Sequence, residues 1–299
     1  MRRATLLVLL LSLCACKPAE EGRQKAIIGA VLIDGAGGPP LSDSVVVVEG
    51  GRILAAGRRS EVPIPAEADK INGAGKFLVP ALKDLLDRAE PPDLLRPGTV
   101  DQARAQVAAL AARRPGLIYL AMGPDAVTEA ALEAARNAGI PVAGLVSTQA
   151  GARLMVDGGA SALIGSILDT EDPDSALVRR MRDLRIVVAP ALAQSGAKLA
   201  AASHNAKSLF QAGVPIALAS LGADPVRECE LLVAAGVPPL DVIVAATRNS
   251  AAALRQLEQS GTIEPGKSAD LLLLSAHPGE DIRNLRQVAL RMAAGNWVR

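Results

Sequence analysis

Short apolar runs, many of them β-branched, alternate with glycine, aspartate and proline clusters over residues 26–80. Ala26–Ile33 leads into Asp34-Gly35-Ala36-Gly37-Gly38-Pro39-Pro40, Val45–Val48 into Glu49-Gly50-Gly51, and Arg52–Ala56 into Gly57. This pattern predicts short antiparallel strands joined by turns. The middle of the chain behaves differently. Apolar runs begin near Leu117, Ile140, Ala162, Ile186 and Val214, with alanine-rich helical stretches between them. Two junctions nearly repeat: Ala138-Gly139-Ile140-Pro141-Val142 and Ala212-Gly213-Val214-Pro215-Ile216. In each, glycine ends a helix in the left-handed conformation and proline opens a buried strand. Helix, glycine and strand at this spacing predict βα units and a parallel sheet, because parallel strands need a crossover.

Counting Phe77–Leu82, six parallel strands are expected, with one helix near Val100–Arg113 in the long gap before Leu117. The tail returns to strand character at Asp270–Leu274, then at Gln287–Met292 and Gly295-Asn296-Trp297-Val298 as a closing hairpin. The tail is expected to join the N-terminal strands in one β-domain built from residues 26–76 and 262–299, around an α/β middle over 77–261. No Gly-x-Gly-x-x-Gly follows any of these strands, which argues against a dinucleotide site.

Composition narrows the partners. Half of the 299 residues are apolar and a fifth are charged, enough for a packed core and too apolar for wholesale disorder. A net charge of +1 offers no concentrated basic face for nucleic acid. The aromatics are Phe77, Tyr119, Phe210 and Trp297, too few for a base-stacking platform. The two histidines, His204 and His277, limit any imidazole-rich metal site.

Arg2 and Arg3 precede an apolar run, Ala4–Leu13, that is too short for a permanent membrane helix and suits a signal-peptide core. The following Leu13-Cys14-Ala15-Cys16 resembles a bacterial lipoprotein signal, with Cys16 as the lipidated residue because Leu13 is too bulky to precede the cut. The expectation is a signal peptide over 1–15 and a lipidated tether over 16–25, with the membrane as partner through the acyl chains. Lys17 in place of aspartate points to the outer membrane, facing the periplasm. An ordinary secretory signal would leave Cys16 a free thiol. Past residue 15 only Cys16 and Cys229 remain, so no internal disulfide is expected.

Gly261-Thr262-Ile263-Glu264-Pro265-Gly266-Lys267-Ser268 matches the phosphate-binding loop pattern letter for letter. Its context is wrong. A phosphate loop follows a buried strand and opens a helix whose amides hold the phosphate. Here the stretch follows a predicted helix, about 238–258, and opens a strand, while Pro265 removes a donor. A turn is expected, and no nucleotide.

Several long turn motifs together resemble the amidohydrolase superfamily, closest to its imidazolonepropionase-like and secreted dipeptidase branches. They are Ile33–Pro40, Val48–Ile53, Ala74–Pro80, Gly261–Leu271 and Asp281–Leu285. The resemblance implies a (β/α)₈ TIM-like barrel with a small composite β-sandwich. Six strands where eight belong imply an incomplete, truncated barrel. It also implies zinc or another divalent metal, but the ligand positions are degenerate. The family's His-x-His phrase stands here as Pro80-Ala81-Leu82-Lys83-Asp84-Leu85-Leu86-Asp87-Arg88, placing Leu86 and Arg88 at the two histidines. Tyr119 falls at the bridging lysine, Leu145 and Gly165 at two further histidines, and Leu221 at the aspartate that moves the proton. Leucine and glycine offer no lone pair and Arg88 would repel a cation, so no cofactor is expected.

The remaining polar residues read as structural. His204 and His277 match no ligand position and read as surface or capping residues. Asp172 and Pro173 read as the start of a helix rather than as part of a cation site at 169–174. Asp84, Asp87 and Arg88 read as a local ion-pair group, and Cys229 as a buried helix residue. Two functional readings follow. One is an envelope lipoprotein that binds or scaffolds without catalysis. The other is an active hydrolase of carbon–nitrogen bonds with a rearranged site drawn from Asp87, Tyr119 or His204.

Overall fold

The computed structural model describes residues 23–88, 91 and 93–298. The signal segment and Cys16 lie outside the described residues.

The β-domain is an eight-stranded sheet drawn from both parts of the chain. Its strands are β1 (Lys25–Leu32), β2 (Leu41–Glu49), β3 (Arg52–Arg58), β4 (Asp69–Asn72), β5 (Phe77–Pro80), β11 (Leu271–Leu274), β12 (Val288–Ala293) and β13 (Asn296–Val298). The order is β13-β12-β11-β5-β1-β2-β3, with β4 also on β1. The sheet curls so that the start of β3 meets the stretch leading into β11. Ile53 N–H donates to the Lys267 carbonyl and Ala269 N–H to the Gly51 carbonyl, both at 2.9 Å. The β2–β3 and β12–β13 turns each hold two residues at positive φ, Gly50 with Gly51 and Ala294 with Gly295, the twist that tight hairpins need.

Phe77–Pro80, expected as the first barrel strand, instead pairs parallel with β1 and antiparallel with β11. Alternation explains why. On β5 and β11, Leu78, Leu271 and Leu273 enter the sandwich core with Ile27, Val46, Ile53 and Met292. Val79, Leu272 and Leu274 point the other way, into the core shared with the helical region through Val242, Ile243 and Ile282. Strands buried on both faces lose polar alternation, so an apolar run alone could not say which sheet it joins.

The second sheet is all parallel. Its strands are β6 (Leu94–Leu95), β7 (Ile118–Ala121), β8 (Val142–Leu145), β9 (Ala162–Ile164) and β10 (Val187–Ala189), in the order β10-β9-β8-β7-β6. Helices α1 (Val100–Ala111), α2 (Asp125–Asn137), α3 (Gln149–Asp157) and α4 (Ser175–Asp183) alternate with these strands. Gly139 and Gly213 adopt φ of +68° and +82° at the helix ends where left-handed glycine is predicted. Past β10 the ring continues by isolated backbone bonds. Val188 bridges Ile216, Leu85 N–H donates to the Leu218 carbonyl at 2.8 Å, and Leu221 N–H to the Leu86 carbonyl at 2.8 Å. The hydrogen-bonded path thus runs from β6 round to Leu86, giving an α/β fold with a TIM-like barrel path. Its first strand is the irregular stretch at 83–88 rather than Phe77–Leu82, and the two-residue β6 is an addition to the predicted set.

Helix α5 (Leu199–Gln211) and helix α6 (Pro225–Ala235) cover the later strands. The helix predicted near 238–258 consists of α7 (Pro239–Val244), a π-helical turn at Ala245–Asn249 and α8 (Ser250–Ala253). Helix α4 starts two residues later than predicted. Asp174, not Asp172, caps it, accepting from Ala176 N–H at 2.6 Å and pairing with Arg153 at 2.6 Å. Pro173 therefore sits outside the helix.

Candidate functional site

In barrels of this architecture the chemistry sits where the parallel strands end, on the loops after their C-terminal tips. Here that end is apolar. Leu86, Tyr119 and Leu221 gather with Leu85, Ile164 and Ala189 in one cluster, and Leu86 is 1% exposed. Leu221 reaches it from a backbone φ of 52°. Leu145 ends β8 beside Ala121 and Ile164. Three of the six positions inferred from the resemblance therefore converge, and leucine and tyrosine pack there as core.

Arg88 and Gly165 do not join them. Arg88 is exposed and its Nε donates to Asp87 Oδ1 at 3.0 Å. Gly165 lies at φ +108°, and a Cβ there would come within 2.2 Å of the Val146 carbonyl oxygen. No side chain fits this backbone, so a histidine at Gly165 would require a different loop path.

The polar groups near the mouth are committed to holding the fold. Asp84 Oδ1 accepts from Leu86 N–H at 2.9 Å and from Ser220 N–H at 3.1 Å, tying the 83–88 stretch to the last strand. Burial raises its carboxyl pKa, against the lowering effect of those hydrogen bonds. Tyr119 donates its hydroxyl to the Leu85 carbonyl at 2.6 Å. Burial, with the negative charges of Asp87, Asp84 and Asp93, pushes the phenol up to about 12. Asp87 is held below the usual carboxylate range by its hydrogen bond from Arg88. His204 is exposed on α5.

These residues do not suit a divalent ion. Such an ion needs several converging oxygen, nitrogen or sulfur donors. Among the described residues no group of three or more His, Cys, Asp or Glu side chains is placed to supply them. At the mouth, the Tyr119 oxygen is engaged as a donor, Asp84 already accepts two amides, and Leu86, Leu145 and Leu221 contribute hydrocarbon.

One buried titratable group was not singled out by sequence reasoning. Glu228, on α6, is fully buried and accepts from Leu192 N–H at 2.7 Å and Ala193 N–H at 2.8 Å. It caps a 3₁₀ turn, Leu192–Gln194, that follows the left-handed Ala191. Burial pushes its carboxyl up to about 7, with the two amides pulling the other way. The only sequence signal was its position in the first turn of a helix capped by Asp224.

The other sequence candidates have structural roles. Asp169 accepts from Gln149 N–H at 2.9 Å, and Cys229 is buried with its thiol pKa raised by desolvation. The Nδ1 of His277 accepts from Gly279 N–H at 3.0 Å while its ring lies 4.6 Å from that of Phe77. In the phosphate-loop look-alike, Lys267 Nζ donates to Thr262 Oγ1 at 2.5 Å and pairs with Glu264 at 2.6 Å. Its lysine is engaged within its own turn.

Comparison with known proteins places the fold. Residues 165–298 match the Amidohydrolase family. Imidazolonepropionase of Geobacillus kaustophilus is 33% identical over 106 residues, a stretch spanning 33% of this chain and 25% of that enzyme. A Bifidobacterium longum structure described as a prolidase aligns with a TM-score of 0.78 at 24% identity, covering 93% of this chain and 95% of the other. A Xaa-Pro dipeptidase with bound methionine in its active site aligns with a TM-score of 0.79 at 15% identity, over 92% and 100% of the two chains. At these identities the structural likeness speaks for the fold alone.

Proposed function

Starting from a chain that is a relative of the amidohydrolase superfamily, we propose that it is a non-hydrolytic binding or scaffolding protein of the bacterial envelope, anchored through a lipid on Cys16. The observation that carries the first half is the apolar barrel mouth, where Leu86, Tyr119 and Leu221 pack together. Hydrolysis of an amide needs a group that generates hydroxide and one that polarises the carbonyl. Among the described residues at the strand tips, the carboxylate of Asp84 and the phenol of Tyr119 are already engaged in holding the fold. A rearranged hydrolase would draw on Asp87, Tyr119 or His204, and each is poorly suited. Asp87 is a weak base beside Arg88, the Tyr119 phenol stays protonated and bonded to Leu85, and His204 is exposed on a helix.

Support for the anchor is the sequence of the first sixteen residues. Elemental analysis of the purified chain after zinc dialysis, with a panel of dipeptides and cyclic amides, tests the catalytic half. The expected result is less than one zinc per ten chains and no turnover. Stoichiometric metal with turnover lost in Asp87→Asn or Tyr119→Phe overturns it and favours the hydrolase. For the anchor, Cys16→Ser should move the protein from the membrane to the soluble fraction.

A further inference from the structure

Outside the barrel, one cavity combines size, charge and a buried cation. It measures about 780 Å³ and lies between the Glu49–Arg52 turn, the Ala294–Asn296 turn and the start of β1. Lys25 borders it and is only 8% exposed. Its Nζ donates to the Gly295 carbonyl at 2.7 Å and makes no ion pair among the described residues. An ammonium has three N–H donors, and the described residues engage one of them.

Arg23 is held by Asp69 at 3.1 Å. Arg52 is exposed and gives one N–H to the Gly266 carbonyl at 2.7 Å. Glu49 is the one carboxylate on the cavity wall, and it accepts from Gln24 Nε2 at 3.2 Å. Among the described side chains that line the cavity, Lys25 and Arg52 face the single carboxylate of Glu49, while Asp270 lies behind the wall, accepting from Ala294 N–H at 2.8 Å and Ser268 Oγ at 3.0 Å. The two cations come from different strands, β1 and β3, and the wall between them is largely backbone at Gly50, Gly51 and Gly295. The turns are pressed together, since a Cβ on Gly295 would lie 2.7 Å from the Gly51 Cα. That contact fixes one end of the cavity.

We propose that this cavity binds a phosphate ester, with Lys25 as its buried ligand and Arg52 at the rim. A tetrahedral group presents diverging oxygens to donors on separate walls, which a flat carboxylate does less well. The volume falls in the range of small-molecule sites, about 300–1,000 Å³, so it holds an ester and not a bare ion alone. The ester comes either from solution or from a phospholipid headgroup. Cys16 and Arg23 are separated by a chain that reaches at most about 25 Å, short enough to bring the cavity to a membrane surface.

The test uses the full chain carrying Cys16→Ser, so that no acyl chain contributes to binding. It is titrated with glycerol 3-phosphate by calorimetry and floated with phosphatidylglycerol vesicles. Saturable binding of glycerol 3-phosphate is expected, weakened at least tenfold in Lys25→Met and in Arg52→Ala. The exposed Arg52→Ala decides the matter if Lys25→Met does not fold. Vesicle binding that responds to the same substitutions identifies the headgroup as the source, and its absence identifies a soluble ester. No binding of either probe, or vesicle binding indifferent to both substitutions, overturns the proposal. So does binding that appears only after Glu20→Gln and Glu21→Gln, because the chain's own carboxylates would then be the occupant.

Discussion

At the barrel mouth, leucines and a tyrosine close over the strand tips, whereas between the two hairpin turns of the β-domain Lys25 and Arg52 border open space. Both regions stand at the edge of a buried core, yet they divide stability and recognition differently. At Leu86, Leu145 and Leu221 the strand tips carry hydrocarbon, which packs as part of what holds the barrel. Around Lys25, among the described residues, the side chain gives one hydrogen bond to a backbone carbonyl and forms no ion pair. A family resemblance would direct attention to the mouth, but the buried cation lies elsewhere.

The sharpest way to break this comparison is Leu86→Ala. A core leucine truncated to alanine costs about 2–5 kcal/mol, so urea denaturation should show a loss of that size with an unchanged slope. A loss below about 1 kcal/mol would mean that the mouth is loosely packed and the contrast false.

Next is Glu228, whose carboxyl is raised from 4.5 to about 7. Between those values the folded chain keeps a proton that the unfolded chain has released. This contribution is fully present below pH 4.5 and is lost as pH rises towards 7, a change of roughly 3 kcal/mol. Thermal melts from pH 4.5 to 7.5 should show falling stability, and Glu228→Gln should flatten much of the slope. Asp84 is raised in the same direction by burial and contributes with the same sign.

On the other side of the comparison, Gly295→Ala forces a Cβ towards Gly51 at a φ of +76°. A loss of about 1–2 kcal/mol is expected, together with weaker phosphate-ester binding, because the same contact shapes the cavity. Smallest of all, Arg52→Ala at an exposed rim should stay within about 0.5 kcal/mol of the parent in stability, even as it weakens binding. A stability change as large as that of Leu86→Ala would show that the rim is structural after all.

Much of the fold was legible because glycine and proline mark where the chain must turn. Gly139, Gly213 and the Gly50-Gly51 pair each adopt the positive φ that their neighbours predict. Strand assignment failed where local pattern is silent. Phe77–Pro80 is apolar on both faces, and a two-residue strand such as Leu94–Leu95 carries no periodicity at all. The mouth was partly legible. Alignment to a motif brought Leu86, Tyr119 and Leu221 to one place, but it could not show that the backbone at Gly165 admits no side chain. Lys25 and Glu228 were invisible for a common reason. A charged residue in a strand or in a first helical turn reads as solvated until tertiary packing covers it.

The shared wall formed by β5 and β11 has a consequence for how the chain is made. Leu78 and Val79 emerge from the ribosome early, but their partners at residues 271–274 are translated almost two hundred residues later. Until then neither core can be completed, and two greasy edges stand open together. A chain cut short before residue 271 should therefore fail as a whole and not lose only its tail, which leaves the cell a long interval in which holding factors must keep the nascent protein from aggregating.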